Sequence, residues 1–140
     1  MKIMAIDYGD ARTGIAISDA LGLLAGFTTV IHEWNREKAA DAVAALVAPH
    51  GVTEIVMGFP KNMDGTEGPR AALYRAFAMA LQERTGMEVV LWDERRTSID
   101  AHQILSANGK KMAKHRKNVD AVAASLILES YLDFKRNQLH

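Results

Sequence analysis

Apolar and polar positions divide the chain into short strands first and helices later. Ile3–Ile6 is a short unbroken apolar run, which suits a strand covered on both faces. After a turn at Tyr8–Arg12, Gly14–Ser18 mixes small and β-branched residues and predicts a second strand, and Leu23–Ile31 predicts a third. Three strands at this spacing suggest an antiparallel meander. The period then changes. Ala39, Val43, Leu46 and Val47 recur at helical spacing and predict a helix over Arg36–Ala48, ended by Pro49 and Gly51. Glu54–Met57 is a further strand, followed by a Gly/Pro/Asn loop at Gly58–Gly68. Pro69 suits the first turn of a helix running to about Arg84 and closed by Gly86. Glu88–Trp92 is a fifth strand, Thr97-x-x-Asp100 has the form of a capping box opening a short helix to about Ala107, and a last helix is expected over Asn118–Phe134. The order βββαβαβαα predicts an α/β fold, a mixed five-stranded sheet with helices on its faces.

Composition narrows the class. At 140 residues, 49% hydrophobic and 24% charged, the chain fits one globular domain over 1–140 and argues against disorder, collagen and low complexity. The absence of cysteine excludes a disulfide scaffold and thiolate metal sites, and fits a reducing, cytoplasmic compartment. No apolar run approaches the length of a membrane span, so a soluble, unprocessed protein without membrane contact is expected. The net charge of zero hides an asymmetry. Lys110, Lys111, Lys114, Arg116 and Lys117 crowd into Gly109–Lys117 with no acid among them, leaving 12 basic against 17 acidic residues elsewhere. Such a strip could bind nucleic-acid phosphates or be a solvated loop beside a helix.

The candidate chemistry lies in carboxylates at element ends. Asp7 closes the first strand, and Asp93 and Glu94 close the fifth. Period-two alternation puts Glu94 on the face of Val90 and Trp92, with Asp93 on the other. In the last helix Ser125, Glu129 and Asp133 form a polar stripe, and at roughly 100° per residue Asp120 falls about opposite it, alongside Ala124, Ile127 and Tyr131. Each carboxylate has a plain reading as a turn residue, a solvated charge or a helix-start acid. Together, carboxylates on one rim would repel one another, and a hard divalent cation such as Mg²⁺ or Mn²⁺ is the economical compensation.

Four segments in order also resemble the YqgF family, small bacterial proteins of RNase H-like fold described as pre-16S rRNA nucleases or Holliday junction resolvase-like enzymes. They are Asp7-Tyr8-Gly9 with Arg12, Gly14, Ala16, Ser18 and Asp19; Gly58–Gly65; Asp93-Glu94-Arg95 with Thr97; and Lys117–Asp120 followed by Ala123, Ala124, Ile127, Leu128, Tyr131 and Leu132. Ser98 stands where a second Thr is common and Phe59 where Leu is common; neither touches the acidic set. The resemblance implies that Asp7, Glu94 and Asp120 are catalytic carboxylates binding Mg²⁺ or Mn²⁺, with Asp93 in reserve. It implies two-metal hydrolysis of phosphodiesters, leaving 5′-phosphate and 3′-hydroxyl ends.

The implied substrate is structured RNA, in 5′-end maturation of pre-16S rRNA. The alternative is four-way DNA, which symmetric resolution would require the chain to meet as a homodimer; Leu21, Leu23 and Leu24 could form an interface or simply pack. Monomer and homodimer both stay open, as does a non-catalytic nucleic-acid-binding module. Arg12 and Arg95 could each hold a phosphate or screen the site, and Gly109–Lys117 would follow the nucleic-acid backbone. A phosphate-loop reading of Gly9-x4-Gly14 fails because Ile15 stands where lysine is required. An actin-like ATPase would need a second lobe that 140 residues cannot supply. Trp34 and Trp92 are read as packing residues, with Trp34 near a turn where it could be exposed.

Overall fold

A computed structural model of the chain describes residues 2–22, 25–62, 64–93 and 119–138, excluding the side chains at 119, 120 and 138. The expected helix at Thr97–Ala107, and the expected site residues Glu94, Arg95, Lys110, Lys111, Lys114, Arg116 and Lys117, lie outside the described residues.

The first three strands, β1 (Lys2–Asp7), β2 (Arg12–Ser18) and β3 (Ala25–His32), form the expected antiparallel meander. The turn between β1 and β2 depends on Gly9, where a Cβ would overlap the carbonyl oxygen of Arg12. At the other end of the hairpin, the buried Ser18 hydroxyl accepts from the Ile3 amide at 2.8 Å. β4 (Val52–Phe59) then enters parallel to β1, and β5 (Val89–Asp93) parallel to β4. The mixed sheet therefore runs β3-β2-β1-β4-β5, with β1 at its centre.

The helix expected over Arg36–Ala48 divides in two. Asn35 caps α1 (Arg36–Ala44) by accepting from the Lys38 amide at 3.0 Å, and the single turn α2 (Val47–His50) follows. Pro49 supplies the reason: it has no N–H for the Ala45 carbonyl and its ring crowds that carbonyl, so the continuous helix ends one turn early. Gly51, in the left-handed region at φ 66°, stops α2 as expected. α3 (Arg70–Thr85) starts behind Pro69 and stops at Gly86, again as the pattern predicts. α4 (Val119–Gln138) runs four residues beyond the expected end, held there by Lys135, whose Nζ lies 2.6 Å from Glu54.

Alternation sorts the strands onto two faces. Met4, Ile6, Ile15, Ile17, Ile55 and Met57 pack against α1 and α3 around the buried Phe77. Ile3, Ala5, Ala16, Val56 and Trp92 pack against Ala124, Ile127, Leu128, Tyr131 and Leu132 of α4. Trp92 is buried as read from sequence, but Trp34 is 79% exposed, at the turn before α1. Leu21 is equally exposed. No helix among the described residues is long and apolar enough to cross a membrane.

Candidate active site

The C-terminal ends of the parallel strands β1, β4 and β5 share one edge of the sheet, the edge at which α/β folds commonly place ligands. Asp7 ends β1 there, half-buried, at the centre of the sheet. It follows Ile3 and Ala5 in the period-two row, which places it on the α4 face. Its antiparallel partner in β2 is Gly14. On its other side, one step beyond the Ile6–Met57 pair, Gly58 of β4 stands level with it. Both glycines are buried. Asp7 is thus bordered in both neighbouring strands by residues without side chains.

Gly58 in turn pairs with Trp92, and Phe59 with Asp93. Phe59 belongs to the α1/α3 core, so Asp93 lies on the face opposite Asp7. The alternation argument for Asp93 therefore holds as far as β5 is described.

α4 begins with Val119-Asp120 and packs on the sheet face that carries Asp7. Tyr131 Oη donates to Glu54 Oε1 at 2.7 Å, and Lys135 reaches the same carboxylate, which fixes the C-terminal half of the helix over the start of β4. Eleven residues back along the helix, at about 1.5 Å each, cover about 16 Å. Asp120 lies in the first turn of α4, at the opposite end of the helix from this anchor. Ala124, Ile127 and Tyr131, the helix positions aligned with Asp120 in sequence, are buried, while Glu129 and Asp133 are exposed. Arg12, at the start of β2, is exposed at the same edge. Among the described residues no three His, Asp or Glu side chains gather into a metal-binding group.

Around this edge the chain is held rigidly. Tyr8, directly after Asp7, stacks on Phe77 at a centroid distance of 4.2 Å, and its carbonyl accepts from Tyr74 Oη at 3.0 Å. Burial pushes the Tyr8 hydroxyl up from its ordinary value, with Arg36 opposing, so Tyr8 is neutral at physiological pH and serves packing rather than proton transfer. Neither Gly14 nor Gly58 was singled out from sequence as a site residue. Both sit within the family-like motifs, but only strand register shows that they border Asp7.

Comparison with known proteins identifies first the class and then the family. A solved Thermus thermophilus RuvC in complex with a Holliday junction substrate superposes with a TM-score of 0.58 over 96% of each chain at 13% identity. That likeness shows the RNase H-like fold. The chain belongs to the family described as "RuvX: Holliday junction resolvase", which matches residues 1–134. Among its relatives, a Carboxydothermus hydrogenoformans protein is 42% identical over 96% of this chain and 98% of its own length, and a Halothermothrix orenii protein is 41% identical over 100% and 99%. Both carry the name "Putative pre-16S rRNA nuclease". The YqgF-like reading of the four motifs agrees with these matches.

Proposed function

We propose that this protein is a metal-dependent endonuclease that trims the 5′ end of pre-16S rRNA in the cytoplasm. The observation that carries the reading is Asp7, placed at the end of the central strand between Gly14 and Gly58 and facing the helix that begins with Val119-Asp120. The names borne by relatives about 40% identical over nearly their whole length support the same class of reaction.

Asp7, Glu94 and Asp120 are the residues that would hold Mg²⁺ or Mn²⁺, since carboxylate oxygens suit either hard cation. Asp7 suits such a role as a half-buried carboxylate bordered by glycine in both neighbouring strands. Asp93, on the opposite face, is not in line with Asp7, which favours Glu94 as the β5 contribution. When bound, a divalent pair supplies an activated water and charge neutralisation at the departing 3′ oxygen. The chain's own part is to fix Asp7 on a strand that cannot shift and to leave room beside it for a phosphodiester. Arg12 and Arg95 are phosphate contacts in this reading, and Lys110, Lys111, Lys114, Arg116 and Lys117 follow the backbone of the RNA.

The family description favours a second substrate, four-way DNA, which would need two active sites in a homodimer. One side-by-side assay tests both. Labelled RNA carrying the pre-16S 5′ extension and a labelled four-way junction are incubated with Mg²⁺ or Mn²⁺, with Asp7→Asn as the control. RNA cleavage lost in Asp7→Asn is the expected result. Cleavage of the junction alone would replace it with the resolvase reading, and binding of both without cleavage would leave a nucleic-acid-binding module.

A further inference from the structure

A second feature occupies the edge of the sheet at which Asp7 stands. The loop after β4 and the start of α3 enclose a cavity of about 160 Å³ lined by Pro60, Lys61, Asn62, Gly68, Pro69 and Arg70. It is tied to the strand that carries Asp7. Arg70 lies 3.6 Å from Asp10 in the β1–β2 turn, and one turn further along α3 Tyr74 holds the Tyr8 carbonyl.

The charge at its rim is positive. Lys61 is exposed and has no carboxylate partner among the described residues. Arg70 lies over the Tyr74 ring and makes a long, solvent-exposed contact to Asp10 that is worth little in water, so its half-exposed guanidinium is still within reach of a ligand. The acids of the loop are engaged elsewhere: Asp64 accepts from the Thr66 amide and hydroxyl at 3.0 and 2.6 Å, and Glu67 pairs with Arg75.

Size and stiffness narrow the ligand. Whole small molecules and cofactors occupy pockets of about 300–1,000 Å³, so a cavity of 160 Å³ suits one unit of a longer molecule. Its walls are set in advance. Asn62 and Thr66 bond through both main chain and side chain, at 2.8 and 2.9 Å, and Gly65 closes the turn in the left-handed region at φ 88°. Pro60 and Pro69 add flat apolar faces with fixed backbone angles. A wall ordered before binding loses little entropy when the ligand arrives.

We propose that this cavity is a subsite for the substrate strand. It takes one nucleotide flanking the cleaved bond, with the phosphate on Lys61 and Arg70 and the base against Pro60 and Pro69. The proposal rests on the nuclease reading above and adds a second contact point to it.

The test is carried out in the full-length Asp7→Asn protein, which should bind without cutting, using labelled RNA with the pre-16S 5′ extension across a salt series. Lys61→Gln should weaken binding about three- to tenfold and lower the slope of log Kd against log salt by about 0.7, the loss of one single-strand phosphate contact. Lys61→Arg should restore both. In the cleavage-competent protein the same Lys61→Gln loss should fall on KM rather than kcat. Unchanged affinity and slope in Lys61→Gln, while the parent binds RNA, would overturn the subsite and leave the nuclease reading intact. Competition by a free nucleoside monophosphate that disappears in Lys61→Gln would support the subsite. If the parent protein neither binds nor cuts RNA or junction DNA, the nuclease reading fails and the subsite falls with it.

Discussion

The two faces of the sheet are built from different residues. On the α1/α3 face the inward row of β1 and β2 is Met4, Ile6, Ile15 and Ile17, long or branched side chains that meet Phe77 and Leu81. On the α4 face the same strands carry Ala5, Asp7, Gly14 and Ala16, three small residues around one carboxylate. The first face is filled by apolar volume. The second is built of smaller side chains toward the strand ends, around the Asp7 carboxylate. One face is given wholly to apolar packing, while the other divides between the α4 core and the proposed site at Asp7. The two faces should fail differently when mutated.

Activity should show the largest effect. Asp7→Asn should lower cleavage by at least about a thousandfold, roughly 4 kcal/mol of transition-state stabilisation. Its thermal midpoint should stay close to the parent's, since the isosteric amide leaves both cores untouched. Measuring turnover together with the melting temperature checks the two halves of the claim, and near-normal turnover in the folded variant would reject Asp7 as a catalytic residue.

Phe77→Ala is the counterpart on the other face. It removes a fully buried ring that stacks on Tyr8 and should destabilise the protein by about 3–5 kcal/mol in denaturant unfolding. Per folded molecule it should retain metal-dependent cleavage, provided Tyr8 keeps its place.

Gly58→Ala probes the bare strip beside Asp7. A single methyl group there should change stability by no more than about 1 kcal/mol, because alanine costs a strand less entropy than glycine. Cleavage should nonetheless fall about tenfold, the equivalent of 1.4 kcal/mol in the barrier. A loss of stability without loss of turnover would mean that the glycine serves packing alone.

The smallest effect belongs to the far end of α4. Burial, then the hydrogen bond to Glu54, raises the Tyr131 hydroxyl well above the ordinary 10.0. The folded state thus holds this proton more tightly than the unfolded chain. The resulting stability is fully present below about pH 10 and is lost as pH rises through the folded value. Tyr131→Phe should cost about 1 kcal/mol near neutrality and flatten the loss of stability above pH 10, as read from unfolding midpoints across an alkaline series. Cleavage should be unaffected, because the group lies at the opposite end of the helix from Asp120.

Much of this architecture was legible in the chain. Short apolar runs and period-two alternation marked every strand, and Pro69, Gly86 and Gly51 marked helix limits, because these signals are local and backbone-driven. Strand β4 runs past the expected Met57, so that Gly58 and Phe59 belong to the sheet and not to the loop, because pairing with β5 extends it. Two helix boundaries also differ. The break at Ala45–Leu46 follows from Pro49 acting one turn upstream. The extension of α4 past Phe134 follows from Lys135 meeting a carboxylate 81 residues earlier in the chain. Trp34 takes the exposed alternative that its turn had left open, since nothing local tells a turn residue whether a neighbour will cover it.

The site divides along the same line. Sequence alone determined that Asp7 ends a strand, that Asp93 faces away from the row of Trp92, and that Asp120 begins a helix whose aligned positions are apolar. All three follow from the 2.0 and 3.6 periods of the backbone. Tertiary structure decided what surrounds them. Gly14 and Gly58 border Asp7 only because β2 and β4 pair with β1 in one register, and Lys61 and Arg70 meet at a cavity only because β4 and α3 end and begin at the same edge. Periodicity is written into each segment, whereas register and the meeting of distant loops are properties of segments packed together.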